Sequence, residues 1–119
     1  MQLNIFAKAA PLLREQKFNI DIDTFISFMG HYHHKDWIYP SAIHRSLKID
    51  IKVIYSILEL LVRDKYVESY LQIICPNCRR YTGCTYKNIG DVPETLSCMN
   101  CDFELEQPLD HAVIVYKVL

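Results

Sequence analysis

The sequence has little of what several large classes of protein depend on. It contains only three glycines, Gly30, Gly83 and Gly90, each in a turn-like setting, so no glycine-rich loop is present to cradle a phosphate. The longest apolar run, residues 53–62, covers ten positions and includes two polar side chains, which makes it too short and too polar for a membrane span. The first residues lack a basic segment followed by a long apolar core, so we expect no secretory signal peptide.

Basic charge is also scarce. The 119 residues carry 13 Lys and Arg against 14 Asp and Glu, which gives a net charge of −1. Residues 1–74 have a net charge of +1, and residues 75–119 have a net charge of −2. Because affinity for nucleic acid comes largely from clustered Lys and Arg that neutralise phosphates, any nucleic-acid contact has to come from a local patch. Half of the residues are hydrophobic, which indicates a folded chain and not a disordered one.

Two cysteine pairs with the same spacing are the strongest motif. Cys75 and Cys78 lie in "CPNC", and Cys98 and Cys101 lie in "CMNC", with nineteen residues between the pairs. A two-residue gap lets a tight turn direct both sulfurs at one ion, and two such turns complete a tetrahedron. We expect a reducing intracellular compartment, the cytoplasm or a similar one, where thiols bind metals more readily than they form disulfides. The spacing therefore predicts a structural Zn²⁺ site, a zinc ribbon, with these four cysteines as ligands.

Other uses of the cysteines fit less well. A redox Cys-x-x-Cys motif normally occurs once, within a parallel strand–helix unit, and a catalytic zinc keeps one coordination position open. Zinc-binding turns often place glycine directly after the second cysteine, where the backbone is left-handed, but here Arg79 and Asp102 stand at those positions. For the fifth cysteine, Cys84, three roles stay open: a packed or exposed thiol, a substitute ligand, or a nucleophile.

Hydrophobic periodicity and capping residues place the secondary structure. A helix is expected at 23–30, capped by Asp23 and ended by Gly30. A second helix is expected to begin at Pro40 and run to about Leu47, and a third, capped by Asp50, to end near Lys65. Alternating apolar residues predict strands at three places, which are 66–74, 102–106 and 111–119.

Residues 20–74 resemble a winged helix-turn-helix domain. The residues that carry the resemblance are apolar positions in the second helix, the turn, the third helix and the start of the wing: Ile43, Leu47, Ile49, Ile54, Leu58, Leu61 and Val67. Lys65 stands where such domains usually have the glycine that ends the recognition helix. With the ribbon added, the whole chain is similar in architecture to the alpha subunit of general transcription factor E and its archaeal relatives, although those proteins join the two modules through a helical linker for which this chain leaves no room.

The resemblance implies an α+β fold in which a winged-helix domain carries a zinc ribbon. Since the strand at 66–74 leads directly into Cys75, and 111–119 has only existing strands to pair with, we expect the ribbon to be inserted in the wing. The two strands would form an antiparallel pair beneath it. The predicted domains are an N-terminal helical and winged-helix region at 1–74, the ribbon at 75–106, and a returning C-terminal strand at 107–119.

The third helix is unusually apolar for one that reads DNA. Its apolar residues cover an arc of about 220°, which is wider than the stripe of a typical surface helix. The narrow polar stripe holds Lys52, Ser56, Glu59 and Arg63, and Glu59 would repel a phosphate that approached its basic neighbours. Two alternatives stay open: burial against the N-terminal segment 3–16, or an apolar ridge that contacts a partner protein.

The candidate residues for nucleic-acid or partner contact are scattered basic side chains, which are Arg45, Lys52, Arg63, Arg79 and Arg80. Each could equally be a solvated surface charge. Three histidines, His31, His33 and His34, could bind a metal or titrate near neutral pH, but they are expected to lie in an exposed loop that ends at Trp37, a core anchor.

These observations favour a binding protein and not an enzyme. The sequence has no His-Glu-x-x-His helix and no paired carboxylates on one helix face. We expect a non-catalytic, zinc-binding winged-helix adaptor that docks onto partner proteins, within a multi-subunit complex linked to nucleic-acid handling and without a membrane partner. The alternative is a small DNA-binding transcription factor.

Overall fold

The computed structural model describes residues 4–119 and has an α+β fold. Most of the helical sequence precedes most of the strand sequence. The α-helices are α1 (Ala10–Glu15), α2 (Ile22–Met29), α3 (Pro40–Leu47) and α4 (Ile51–Arg63). The strands are β1 (Trp37–Ile38), β2 (Val67–Ile74), β3 (Tyr81–Tyr86), β4 (Leu96–Ser97), β5 (Glu104–Leu105) and β6 (Ala112–Val118). Across residues 4–119, every helix is too short or too polar to cross a membrane.

Side-chain caps fix where α2 and α4 begin. The Asp50 carboxylate accepts a hydrogen bond from the backbone N–H of Lys52 at 2.8 Å, so the predicted cap of α4 is confirmed. Helix α2 is also present, but the prediction that Asp23 caps it is wrong. The cap is Asp21, whose carboxylate accepts from the backbone N–H of Thr24 at 3.2 Å, while Asp23 lies inside the first turn of the helix.

Helix α4 ends at Arg63, two residues before the predicted end. Lys65 then adopts a left-handed backbone conformation, with φ of 65°. This is the conformation that glycine adopts most easily, and a residue with a Cβ atom takes it at a cost of about 1 kcal/mol. The chain therefore makes the turn into β2 without the glycine that would ease it.

The strands form two sheets. The larger sheet has the order β1-β6-β2-β3, and the smaller sheet is the β4–β5 hairpin. Strand β1 pairs antiparallel with β6, and β2 pairs antiparallel with β3. The strands predicted at 66–74 and 111–119 are present as β2 and β6, and they are neighbours in the larger sheet.

The chain divides into two compact units, and the division falls within β2 and β6. We call the first the helical unit, which comprises the residues up to Glu68 together with Tyr116–Leu119. We call the second the cysteine unit, which comprises Ser69–Val115.

The helical unit has a large apolar core. Sixteen of its described residues are buried together, including Phe6 and Leu13 from the N-terminal segment. Helix α4 contributes four of them, Ile54, Ile57, Leu58 and Leu61. Its other apolar side chains are partly buried against the same core, and none of them is exposed. Of the two alternatives for this helix, burial within the chain is the one that the packing favours.

The loop before β1 holds the three histidines. His31, His33 and His34 are all exposed, as expected for a loop. Trp37, however, is only half-buried, and the Lys117 ammonium lies 5.1 Å from the centroid of its ring. The core anchor at this place is the next residue, Ile38, which is fully buried. Since successive side chains of a strand point to opposite faces, only one of these two can enter the core.

Candidate metal centre

The two cysteine pairs lie in turns with the same hydrogen-bond pattern. In the first turn the Cys75 carbonyl accepts from the Arg79 N–H at 2.8 Å, and the Cys75 N–H donates to the Arg80 carbonyl at 2.8 Å. In the second turn the Cys98 carbonyl accepts from the Asp102 N–H at 2.9 Å, and the Cys98 N–H donates to the Phe103 carbonyl at 2.8 Å. Each turn therefore closes around its first cysteine and points both sulfurs to the same side.

The residue after each second cysteine has a left-handed backbone conformation. This is the position where zinc-binding turns often have glycine. Arg79 and Asp102 both have φ of 61°. Neither is glycine, so each turn carries a backbone strain of about 1 kcal/mol. Two unrelated residue types thus adopt the same left-handed conformation at equivalent positions of the two turns.

The first turn is positioned by the β2–β3 pair, which flanks it. Ile74 at the end of β2 lies opposite Tyr81 at the start of β3, after a register shift between Gln72 and Ile74. The buried Thr82 hydroxyl donates to the Ile73 carbonyl at 2.8 Å, so this carbonyl has a partner despite the shift. The second turn is flanked in the same way by β4 and β5, whose register pairs Ser97 with Glu104.

These turns bring the four predicted sulfur atoms together. The sulfur atoms of Cys75, Cys78, Cys98 and Cys101 all lie within 4.8 Å of one another. Cys75 Sγ lies 3.6 Å from Cys101 Sγ, and Cys78 Sγ lies 3.7 Å from Cys98 Sγ. A disulfide needs about 2.05 Å, so these cysteines are not paired covalently.

The donor set fits a tetrahedral metal ion such as Zn²⁺. A tetrahedron with Zn–S bonds of about 2.3 Å has its sulfur atoms about 3.8 Å apart, close to the two separations above. Four thiolates fill the coordination shell, an arrangement typical of ions that stabilise structure. Of the residues from 4 to 119, these four alone form a group of three or more His, Cys, Asp or Glu side chains that could hold an ion.

Several N–H groups point at the sulfurs and stabilise negative charge on them. The pKa of the Cys101 thiol is lowered to about 6, chiefly by the backbone N–H of Phe103 and then by the side chain of Asn77, whose Nδ2 lies 3.6 Å from Cys101 Sγ. The Asn100 N–H donates to Cys98 Sγ at 3.4 Å. The backbone N–H of Arg80 likewise favours a Cys78 thiolate.

The pKa of the Cys78 thiol is raised, because the effects that favour its protonated form are together larger than those that favour the thiolate. Although its hydrogen bond to the Arg80 N–H lowers the pKa, desolvation and hydrogen bonds to the other three thiols raise it to about 11. Cys101 therefore loses its proton readily, whereas loss of the Cys78 proton carries a free-energy penalty. A divalent cation would remove this penalty, so binding releases protons and weakens as the pH falls.

Two of the four cysteines belong to a small second core. The four buried residues of this core are Ile73, Cys75, Cys98 and Leu105, with a few partly buried apolar side chains around them. Cys78 is half-buried and Cys101 is exposed, so the cluster lies at the edge of the unit. A core this small needs a metal or another cross-link to fold.

The remaining predicted site residues lie outside this cluster. Cys84 is half-buried in β3 and is not one of the grouped ligands. The basic candidates are all exposed: Arg45 on α3, Lys52 and Arg63 at the two ends of α4, and Arg79 and Arg80 in the first cysteine turn. Arg63 also lies 3.7 Å from the Asp64 carboxylate, which offsets its charge.

Asn77 and Asn100 were missed at the sequence level, although a signal was present. Each stands directly before the second cysteine of its pair, in "CPNC" and "CMNC". Asn77 contacts the sulfur of the opposite turn, and the Asn100 side chain donates to the Tyr81 carbonyl at 2.6 Å. An amide repeated at one position of both motifs indicates a role in joining the two turns.

Comparison with known proteins adds no relative. No family model matches the chain, and no curated protein or solved structure matches it either. The cysteine cluster and the surfaces around it are therefore the features that bear on function.

Proposed function

We propose that the chain is a non-catalytic adaptor, in which a winged-helix core carries a zinc-stabilised ribbon and docks onto partner proteins. The ribbon would be the zinc-loaded part of the cysteine unit, with Cys75, Cys78, Cys98 and Cys101 as ligands. Four thiolates leave no open coordination position for a substrate or a water molecule, which supports a structural ion over a catalytic one.

The winged-helix part of the proposal is supported by element order. Helices α2, α3 and α4 are followed by strand β2, and β6 lies beside β2 in the sheet. Most of the cysteine unit lies between β2 and β6 along the chain, where the wing would be. The left-handed Lys65 after α4 supplies the turn that glycine usually makes in such domains. The resemblance to the alpha subunit of transcription factor E supports a complex linked to nucleic-acid handling.

The observation that carries the docking proposal is the distribution of exposed apolar side chains. Nine large apolar residues are exposed in the described chain, and seven belong to the cysteine unit, although it is the smaller unit. The two most exposed, Met99 at 74% and Ile89 at 66%, lie outside its strands. The seven are Tyr81, Ile89, Met99, Phe103, Leu109, Val113 and Ile114. This concentration of exposed apolar side chains in one unit supports docking through that unit.

The test is partner capture with two matched variants of the full, metal-loaded chain. Ile89→Ser with Met99→Ser removes the two most exposed apolar residues of the cysteine unit, and Tyr39→Ser with Leu119→Ser removes two from the helical unit. We expect only the first variant to lose the proteins that co-purify with the wild type, as quantified by mass spectrometry. Equal capture by both variants would contradict docking through the cysteine unit.

DNA binding is the alternative, and the exposure of all five basic candidates favours it. Under this alternative, duplex DNA binds at low salt, and its affinity falls steeply as salt rises. Replacement of Lys52 and Arg45 by Gln would weaken that binding. We expect fluorescence anisotropy to detect no such salt-dependent binding, because Glu59 shares the exposed stripe of α4 with Lys52.

A further inference from the structure

The β4–β5 hairpin has a groove at its open end. The segment 92–94 leads into β4 and the segment 106–110 follows β5, and together they line a cavity of about 470 Å³. Cys98 and Cys101 lie in the turn at the opposite end of the same hairpin. Since the hairpin holds both segments in place, the metal that closes its turn also supports the groove.

Apolar side chains form part of the lining. Val92 is partly buried and packs against the second core, and Pro108 is buried. Leu109 is different, since 46% of its surface is exposed beside these two. A protein chain gains little from leaving a leucine exposed over an apolar groove, and burial of that surface by a ligand is favourable.

Three carboxylates surround this apolar surface. Glu94, Glu106 and Asp110 are all exposed and line the same groove. None of them takes part in an ion pair with another residue between 4 and 119. Their charge is therefore not neutralised within the described part of the chain.

The net charge of the whole cysteine unit is also negative. It contains three Lys and Arg against six Asp and Glu, a net charge of −3. Four thiolates around a divalent ion add a further −2, so the metal-loaded unit carries −5. This field repels phosphates and acidic peptides and attracts cationic ones.

We infer that this groove binds a basic peptide segment of a partner protein that also carries apolar side chains. Lys or Arg side chains of the segment pair with Glu94, Glu106 and Asp110, and an apolar side chain packs against Leu109 and Val92. The inference rests on the proposed adaptor function and names the chemistry of the partner. Charge complementarity selects this occupant, because an apolar ligand alone would leave the three carboxylates without partners.

The probe is a fluorescein-labelled nonapeptide of alternating Arg and Leu, added to the full, metal-loaded chain. Two control peptides carry Glu in place of Arg, or Ser in place of Leu. We expect anisotropy to show binding of the Arg–Leu peptide and at least tenfold weaker binding of both controls. In ¹H–¹⁵N spectra, the shifts caused by the peptide should be confined to the segments 92–94 and 106–110 and their neighbours.

Two double variants with equal charge separate the groove from the general field of the unit. Glu94→Gln with Glu106→Gln should weaken the peptide about tenfold, because two exposed ion pairs are lost. Asp102→Asn with Glu104→Gln removes the same charge from the cysteine unit outside the groove, and it should change the affinity less than twofold. Leu109→Ala should weaken binding to a similar degree as the groove double variant, with no change in charge.

The inference would be overturned by equal weakening by both double variants, by equal binding of the Glu–Leu peptide, or by shifts that map to the helical unit. Self-association of the chain that the groove variant abolishes would assign the groove to a second copy instead and would also overturn it. If the groove variant binds no peptide but still captures the wild-type partners, the adaptor proposal stands and the groove assignment fails. If the wild-type chain binds the peptide in the groove but captures no partner proteins, the groove assignment stands and the adaptor proposal fails.

Discussion

The helical unit and the cysteine unit of this chain hold themselves together in different ways. The first has an apolar core of sixteen buried residues within the described chain, whereas the core of the second contains only four, and two of those are cysteines. At about 25 cal/mol for each Å² of apolar surface removed from water, a core of the first kind offsets the entropy of ordering the chain, and one of the second kind does not. The cysteine unit instead brings together four thiols that could hold a metal ion such as Zn²⁺.

The surfaces of the two units also differ, both in net charge and in exposed apolar side chains. The helical unit has ten Lys and Arg against eight Asp and Glu, a net charge of +2, whereas the cysteine unit has −3 before any metal is counted. Most exposed apolar side chains also belong to the cysteine unit. A fold that does not rely on apolar burial can leave apolar residues at the surface, where they are available to a partner.

Loss of the metal should have the largest effect on stability, and it should unfold the cysteine unit without unfolding the helical unit. Cys98→Ser removes one of the four ligands, and structural zinc sites contribute about 10–16 kcal/mol of apparent binding free energy in small peptides. We expect elemental analysis to find no bound metal, and we expect the ¹H–¹⁵N signals of the cysteine unit to collapse while those of the helical core stay dispersed.

Cys84→Ser is the matched control, since Cys84 lies outside the cluster, and it should retain both the metal and the spectrum. If Cys98→Ser kept its full metal content, the assignment of the ligands would be wrong. If both units collapsed together, the comparison drawn above would have to be abandoned.

Truncation of a side chain in the apolar core should destabilise the helical unit and leave metal binding by the cysteine unit intact. Leu58→Ala removes a fully buried side chain from α4 and should lower the free energy of unfolding of the helical unit by about 2–5 kcal/mol, because it leaves a cavity. Denaturant titration followed by circular dichroism at the helix band measures this loss. The same substitution at the partly buried Leu60 should cost less. Loss of metal from Leu58→Ala at equilibrium, without denaturant, would mean that the units do not fold independently.

The buried tyrosine of the helical unit gives a prediction about pH. The Tyr116 hydroxyl donates to Glu59 Oε1 at 2.6 Å, and burial, followed by this hydrogen bond and the Glu59 charge, raises the pKa of Tyr116. Tyr116→Phe should lower the free energy of unfolding by about 1–2 kcal/mol at neutral pH.

Above about pH 10 the unfolded state releases the Tyr116 proton while the folded state keeps it. The stability that Tyr116 contributes is therefore fully present below pH 10 and declines above it, by about 1.4 kcal/mol per pH unit. The difference between wild type and Tyr116→Phe should narrow in that range, with the exposed Tyr39→Phe as control. A difference that stays constant from neutral pH to beyond pH 11 would contradict this.

The smallest expected effect concerns a glycine beside the second cysteine turn. Gly83 has φ of 93°, and a Cβ atom there would lie 2.5 Å from Met99 Sδ. The sulfur is the flexible end of an exposed side chain and can move, so the remaining cost of Gly83→Ala is backbone strain of about 1 kcal/mol. Gly90→Ala has open space around it and should be neutral.

Thermal unfolding of the cysteine unit measures both glycine variants. Recovery of stability when Met99→Ala is added to Gly83→Ala would show that the clash, and not the strain, dominates. That result would mean that Met99 is packed more firmly than an exposed docking residue should be.

Much of the local structure could be predicted from particular residues. Asp50 caps α4 because a short carboxylate can accept from the first free N–H groups of a helix, and that chemistry needs no tertiary context. The left-handed conformation at Arg79 and Asp102 follows from the turn that two cysteines at this spacing have to make. The cap of α2 was assigned to Asp23 when Asp21 makes the bond, since both acidic residues lie close to the start of the helix.

The sequence alone was enough to predict the cysteine cluster, helices α2, α3 and α4, strands β2, β5 and β6, and the apolar face of α4, because each depends on the spacing of residues along one short segment. Three features depend on the whole fold: Ile38 and not Trp37 enters the core, β1 pairs with β6, and segments 92–94 and 106–110 form one acidic groove. These features join residues that are far apart in the chain or compete for one position. Their outcome depends on the free energy of packing the whole fold, which no local pattern contains.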